Sequence, residues 1–121
     1  MSFPQDIREL LDKTLEVDIE TRSAKGTVHR VPIWLIVDGG AVFVRSYLGP
    51  EARWYRELIA RPGAIVVGTR SVPVRAVPAV DERSIEATSL GFQKKYPKSP
   101  SLRAMQRPEV LGTTIRLEPA D

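Results

Sequence analysis

The sequence contains no cysteine and a single histidine, His29, among its 121 residues. Without cysteine there can be no disulfide, thiolate nucleophile, iron–sulfur cluster or cysteine-rich zinc site. One histidine per chain also excludes an acid–base relay or a metal site built from several histidines of the same chain. The Gly-x-Ser-x-Gly turn of serine hydrolases and the glycine-rich phosphate loops of nucleotide-binding proteins are missing as well. These absences favour chemistry that a bound cofactor carries, with the protein supplying position and electrostatics.

Long hydrophobic runs and a dominant charge are lacking too. No apolar run approaches the roughly 18 residues needed to span a bilayer, and no basic patch followed by a long apolar stretch marks the N-terminal segment as a secretory signal. We therefore expect a cytoplasmic protein without a membrane partner. The 18 basic residues exceed the 15 acidic ones only slightly, and no block of Lys and Arg predicts a nucleic-acid partner.

Arginine accounts for thirteen of the basic residues, and its planar guanidinium suits bidentate recognition of phosphate or carboxylate. The length predicts a single domain spanning residues 1–121. If this domain is a β-barrel, as the strand pattern below predicts, a barrel of this size fills its own interior with side chains. We therefore expect a second copy of the chain to complete any deep site, which predicts a homodimer.

Alternating and continuous apolar patterns predict six strands. A period of two begins near Val17, and a tight hairpin is predicted at Asp38-Gly39-Gly40 because these residues tolerate the required turn conformation. The six predicted strands are 17–22, 27–37, 41–44, 64–69, 72–80 and 112–117.

Helices are predicted before the first strand, at 51–60, from Glu82 onward with Asp81 as its cap, and through Leu102 and Met105. Short connections between strands imply mainly antiparallel pairing. The predicted fold is α+β, mainly β: an antiparallel barrel with helices covering its ends.

The segment from Thr21 to Val67 contains several short motifs in a fixed order, namely Arg30-Val31-Pro32-Ile33-Trp34, Asp38-Gly39, Val44-Arg45-Ser46, Gly49, and Trp54-Tyr55 with Leu58 and Pro62. In this order the segment resembles the FMN-binding split barrels of the pyridoxamine-phosphate-oxidase-like superfamily, which includes deazaflavin-dependent nitroreductases. Within that superfamily it looks like a subgroup of small bacterial domains of unassigned function. The resemblance implies a six-stranded split β-barrel that binds its cofactor at the dimer interface.

The resemblance also implies which residues bind the cofactor. The nominated residues are Arg30, Pro32, Ile33, Arg45, Ser46, Arg53, Trp54 and Tyr55. Arginine guanidinium groups and a serine hydroxyl are donors suited to a phosphate, and the aromatic side chains, with Trp34 and Tyr47, suit a flat ring. No catalytic residue and no metal ligand is predicted.

Two functions follow as alternatives. The first is a flavin- or deazaflavin-binding oxidoreductase that acts on a small organic substrate with FMN or the deazaflavin F420. The second is a non-catalytic ligand-binding or interaction domain on the same dimeric fold, without a redox cofactor.

Overall fold

The computed structural model describes residues 3–120. The four helices in this part of the chain are α1 (Gln5–Lys13), α2 (Arg53–Ala60), α3 (Glu82–Lys95) and α4 (Pro108–Leu111). Its seven strands are β1 (Val17–Arg22), β2 (Val28–Ile33), β3 (Leu35–Asp38), β4 (Ala41–Val44), β5 (Gly63–Val67), β6 (Arg70–Pro78) and β7 (Ile115–Pro119). Single 3₁₀ turns lie at Gly49–Glu51 and Ala104–Gln106. None of these helices is both long and apolar enough to cross a membrane.

The strands form one antiparallel sheet in the order β2-β1-β5-β6-β7-β4-β3. The two edge strands, β2 and β3, are consecutive in the chain and are separated only by Trp34. Because one residue joins opposite edges, the sheet must curl until those edges approach each other. This curled, incompletely paired sheet confirms the predicted α+β fold, mainly β, and the split-barrel architecture.

The strand count differs from the prediction because the apolar run 27–37 is not one strand. Val17 to Arg22 of β1 pair with β2, whereas β3 pairs with β4. Trp34 lies between the two ladders and belongs to neither. The run is continuous in hydrophobicity, so its composition gives no sign that the chain changes partners there. The prediction of six strands was therefore wrong by one.

Two predicted local features are confirmed. Asp38 pairs with Ala41 across a two-residue turn, in which Gly39 and Gly40 have φ angles of 57° and 86°. Glycine adopts such positive φ values without steric cost. At the start of α3, a side-chain oxygen of Asp81 accepts a hydrogen bond from the backbone N–H of Ser84. The predicted cap therefore satisfies one of the free donors of the helix.

The core lies inside the curl of the sheet. Val17 and Ile19 on β1 are buried, as are residues of similar type on the other strands and on the inner faces of α1 and α2. Full burial of a side chain of this kind contributes about 1.5–3 kcal/mol to folding. α1 and α3 pack against β3, whereas α2 packs against β1, β2 and β6. The helices thus cover regions where the curled sheet does not cover itself.

A polar cluster fastens α2 to the edge of the sheet. Glu57 on α2 accepts a hydrogen bond of 2.7 Å from the Thr21 hydroxyl and lies 3.0 Å from Nδ1 of His29. Burial alone would raise the pKa of Glu57, but the hydrogen bonds from Thr21 and His29 and the charges of His29 and Arg53 outweigh burial and lower it. The folded chain therefore favours the ionised carboxylate at this position.

We predict that the Glu57→Gln variant is less sensitive to acid than the unmodified chain. A carboxyl group whose pKa is lowered on folding contributes stability above its unfolded pKa, and that stability is lost as the pH falls through the folded pKa. The free energy of unfolding of the unmodified chain should therefore fall more steeply between about pH 5 and about pH 3 than that of the variant. Urea unfolding across this range measures the slopes.

Glu86→Gln is the matched control, because Glu86 is an exposed residue on α3 without a side-chain hydrogen bond to residues 3–120. Its slope should equal that of the unmodified chain. Equal slopes for the unmodified chain and Glu57→Gln would contradict the role assigned to Glu57.

Candidate functional site

A pocket of about 250 Å³ lies where the chain passes from β2 to β3. We call it the aromatic pocket, because three aromatic side chains contribute to its wall. The residues that line it are Glu16, Pro32, Ile33, Trp34, Arg45, Tyr47, Trp54, Ser101 and Met105. They come from the end of β2 and its joint with β3, from the segment after β4, from α2, from the residue before β1, and from the segment after α3. The pocket therefore exists only once the sheet has curled.

The Trp34 wall is held in place from behind by α3. Its indole stacks on the ring of Tyr96, with ring centres 4.1 Å apart and planes inclined by 6°. Phe92, one turn earlier on α3, meets the indole edge-to-face at 5.5 Å. Such aromatic pairs contribute about 0.5–1.5 kcal/mol beyond burial. Trp34 is therefore a fixed wall.

Tyr96 is itself anchored through its hydroxyl group. The hydroxyl donates to the backbone carbonyl of Leu15, and the Leu35 carbonyl lies 3.3 Å away. Burial raises the pKa of Tyr96 to about 12, so the phenol stays neutral and keeps its donor. The hydroxyl joins the end of α3 to the segment before β1 and to the start of β3. Tyr96 is thus held by the stack at its ring and by hydrogen bonding at its hydroxyl.

Arg45 is the buried cation beneath the pocket and is only 1% exposed. Its Nε donates to Thr114 Oγ1 at 2.8 Å, Nη1 donates to the Ser89 hydroxyl and the Met105 carbonyl, and Nη2 donates to the Ile85 carbonyl. Burial lowers the pKa of Arg45 to about 10, so it remains protonated at neutral pH.

All four acceptors of Arg45 are neutral oxygens. Within residues 3–120 no carboxylate lies within 4 Å of its guanidinium. The guanidinium carbon also lies 5.5 Å from the centre of the Phe92 ring. Buried charges are usually compensated by a charge of opposite sign. The guanidinium of Arg45 therefore carries a positive charge that no carboxylate of residues 3–120 contacts directly, although the Glu16 side chain lines the same pocket.

Ser46 supports the turn that follows Arg45. Its backbone N–H donates to the Thr113 hydroxyl at 2.9 Å, and its own hydroxyl donates to the Gly49 carbonyl at 2.6 Å. Gly49 has a φ angle of 83°, in the left-handed region that favours glycine. These bonds hold the turn from which Tyr47 lines the pocket. The Ser46 hydroxyl proton is thus used within the chain.

The structure brings half of the nominated residues together. Pro32, Ile33, Arg45 and Trp54 line the aromatic pocket, whereas Arg30, Ser46, Arg53 and Tyr55 do not.

The four nominated residues that do not line the pocket have different surroundings. Arg30 forms an exposed ion pair with Glu20 at 3.1 Å. Tyr55 lies edge-to-face beside Trp54 at 6.1 Å, so it can support that wall of the pocket. Arg53 is exposed and makes no side-chain hydrogen bond or ion pair with residues 3–120. Its guanidinium is thus available to a ligand near the start of α2.

Three lining residues carry no signal in the sequence. Glu16, Ser101 and Met105 stand in segments without a motif and reach the pocket through long-range packing. Tyr96, which supports Trp34, follows α3 and is likewise remote from the segment that carries the family resemblance. In the described part of the chain no group of three or more His, Asp or Glu side chains could hold a metal ion.

A family model described as uncharacterized proteins conserved in bacteria (DUF2255) matches residues 8–117. A comparison with curated proteins gave no match.

Solved structures share the fold at low sequence identity. The heme storage protein HutZ of Vibrio cholerae has a TM-score of 0.70 and 15% identity, with 100% of this chain and 92% of that chain covered. A structure named F420 reductase has a TM-score of 0.61 and 16% identity, with 98% and 97% covered. The FAD-binding protein of Mycobacterium smegmatis has a TM-score of 0.57 and 17% identity, with 100% and 93% covered. These likenesses confirm the predicted split-barrel fold.

We predict that Arg45→Met destabilises the chain by at least about 3 kcal/mol, because it removes four hydrogen bonds and leaves buried acceptors without a donor. The aliphatic part of the side chain is approximately retained, so the loss reports the guanidinium. The free energy of unfolding in urea is the measurement.

Arg53→Met is the matched control, since its guanidinium is exposed and has no partner among residues 3–120. Its effect on stability should stay within about 0.5 kcal/mol. A loss of stability for Arg45→Met as small as the loss for Arg53→Met would show that the network around Arg45 does not stabilise the fold.

Proposed function

The chain belongs to the DUF2255 family, and we propose that it is a split-barrel protein that binds a flavin-type cofactor and acts as an oxidoreductase on a small organic substrate. The observation that carries this proposal is the aromatic pocket, which has Trp34 and Trp54 in its wall and the buried guanidinium of Arg45 at its base. Aromatic walls suit a flat ring, and a positive charge without a direct carboxylate partner suits an electron-rich group of the ligand.

The arrangement around Arg45 fits a ligand that carries carbonyl oxygens or negative charge. Four of the five guanidinium N–H groups are used by Thr114, Ser89, Met105 and Ile85. The side chain can therefore offer a ligand one N–H and the field of its charge. In a site with little water that field is stronger than it would be at the surface.

The ring of the ligand would contact the walls formed by Trp34 and Trp54. Trp34 is held by its stack on Tyr96, and Trp54 is supported edge-to-face by Tyr55. Pro32 and Ile33 contribute apolar surface to the same pocket. Rigid aromatic walls lose little conformational entropy when a ring binds.

Arg53 is the nominated arginine best suited to a phosphate. Its guanidinium is exposed and has no partner within residues 3–120, and it is the first residue of α2. Ala52 precedes the helix and provides no side-chain acceptor for its free N–H groups. The positive end of a helix favours an anion. In this assignment Ser46 acts by holding the turn after β4, and Arg30 would contact the phosphate only by leaving its ion pair with Glu20.

The proposed assembly is a homodimer of one split-barrel domain per chain. The volume of about 250 Å³ falls below the roughly 300–1,000 Å³ of typical ligand pockets. Leu15 and Leu48 are 61% and 73% exposed and are adjacent in sequence to the lining residues Glu16 and Tyr47. A second copy covering these apolar side chains would enlarge the site and exclude water from it.

FMN and the deazaflavin F420 are the proposed cofactors. Solved structures with this fold are named for F420 and for FAD. A bound flavin or deazaflavin supplies two-electron transfer. The residues of this chain would bind the ring, hold the phosphate and exclude water, and no side chain is assigned an acid–base role. We propose a cytoplasmic location, without a nucleic acid or membrane partner.

A non-catalytic ligand-binding or interaction domain without a redox cofactor is the second candidate. Two observations favour it. Most hydrogen-bond donors of the Arg45 and Ser46 side chains already bond to other groups of the chain. Glu16 places a carboxylate among the lining residues, where it would repel a phosphate.

We predict that FMN or F420 raises the thermal unfolding temperature of the purified chain, because a ligand that binds only the folded state stabilises it. The visible absorption of the freshly purified protein and its unfolding with FMN, FAD and F420 in turn are the measurements. A colourless protein that none of the three stabilises would contradict the proposal and favour the non-catalytic alternative.

The phosphate assignment is tested by comparing FMN with riboflavin, which lacks the phosphate. Arg53→Ala should weaken FMN binding by about tenfold and leave riboflavin binding unchanged, because only FMN offers the contact. Arg56→Ala, on the same helix and also exposed, is the matched control and should bind both ligands as the unmodified chain does. Equal effects of Arg53→Ala on both ligands would overturn the role of Arg53.

A further inference from the structure

A second cavity, of about 470 Å³, lies between α1, β3 and α3. We call it the charged groove. Its lining residues are Asp12, Ile36, Val37, Asp38, Ala87, Leu90, Gly91, Lys94 and Lys95, none of which lines the aromatic pocket. The volume falls in the range of small-molecule sites, roughly 300–1,000 Å³. The groove is therefore large enough to hold a ligand of its own.

The groove is lined by equal numbers of positive and negative side chains. It contains two carboxylates, Asp12 and Asp38, and two ammonium groups, Lys94 and Lys95. Within residues 3–120, the side chains of Asp12, Asp38 and Lys94 form no hydrogen bond and no ion pair. Charges of both signs thus line one cavity without engaging each other directly. A ligand with one positive and one negative group could engage both signs at once.

Lys95 is the most firmly fixed of the four charged side chains. Its Nζ donates to the backbone carbonyls of Leu11 and Leu35 at 3.0 and 2.9 Å. Burial lowers the pKa of Lys95 to about 8, and the nearby charge of Asp12 partly opposes this effect. The amine is therefore mainly protonated at neutral pH. Its two carbonyl bonds leave one of its three N–H groups for a ligand.

The floor of the groove is apolar. Ile36 is buried there, and a Cβ atom added at Gly91 would lie only 2.9 Å from the Ile36 side chain. Glycine at this position therefore allows α3 to lie close to β3. Leu90 next to it is 46% exposed. The groove thus offers apolar contact between its charged groups.

We propose that the charged groove binds a small zwitterion with an apolar side chain, an α-amino acid or a dipeptide. Lys94 and Lys95 bind its carboxylate, and Asp12 and Asp38 bind its ammonium group. The apolar side chain lies against Ile36 and Leu90. The groove shares no lining residue with the aromatic pocket, so the proposal does not rest on a cofactor bound there. Because most of these charges are exposed, the expected affinity is weak, with a Kd in roughly the millimolar range.

The first test compares three ligands by titration calorimetry at pH 7. Leucine carries both charges, 4-methylpentanoate lacks the ammonium group, and 3-methylbutylamine lacks the carboxylate. We expect leucine to bind at least about fivefold more tightly than either analogue, because only leucine engages both pairs of side chains. Dileucine tests the longer ligand in the same way. Equal affinities for a zwitterion and its singly charged analogues, or no binding of either zwitterion up to about 20 mM, would overturn the proposal.

Variants then test the assignment of the charges. Lys94→Met and Asp12→Asn should each weaken binding of the better zwitterion by about three- to tenfold. Lys98→Met removes an exposed charge just beyond α3 that does not line the groove, and it should have no effect. Equal binding by all these variants and the unmodified chain would contradict the assignment. If Asp12→Asn does not fold, the ligand comparison on the unmodified chain still decides the proposal.

The same preparations can be titrated with FMN. Zwitterion binding without FMN binding would support the proposal for the groove and overturn only the flavin proposal. FMN binding without zwitterion binding would do the reverse.

Discussion

The guanidinium of Arg45 is the interaction on which the rest of the structure depends. Its acceptors lie on α3, on the 3₁₀ turn at Ala104–Gln106, and at Thr114 just before β7. One side chain at the end of β4 therefore joins segments that are up to 69 residues apart in sequence. A planar cation with several fixed donors can do this, whereas the single ammonium group of a lysine could not reach the same set of acceptors. The same network positions the pocket wall that contains Met105.

The joint at Trp34 converts this packing into a site. Trp34 separates two edge strands that pair with different partners, and it takes part in neither pairing. It stacks on Tyr96 and lines the aromatic pocket. The split in the barrel and the pocket therefore have a common origin, namely one residue at which the chain changes partners. If β2 and β3 formed one continuous strand, the side chain at position 34 would simply alternate with its neighbours across the sheet, and no gap would lie beside it.

The sequence was sufficient for features that depend on neighbours in the chain. The glycine turn after Asp38 and the cap at Asp81 follow from local chemistry, and both are present. The break at Trp34 could not be predicted, because hydrophobicity reports burial and not which strand supplies the partner. The hydrogen-bond partners of Arg45 could not be predicted either. A sequence motif is the same whether the guanidinium of its arginine donates to a ligand or to distant backbone carbonyls. Glu16 reached the pocket through tertiary packing alone.

Lys95, the last residue of α3, and Tyr96, which follows it, connect the two cavities. The Lys95 ammonium lines the charged groove, whereas the Tyr96 ring supports the Trp34 wall of the aromatic pocket. Both side chains lie within hydrogen-bonding distance of the same carbonyl, that of Leu35 at the start of β3. The position of α3 relative to β3 therefore sets the geometry of both cavities, and the close approach that Gly91 allows is needed for both. A side chain at Gly91 would push α3 away from Ile36, and it would thereby disturb the wall of one cavity and the floor of the other.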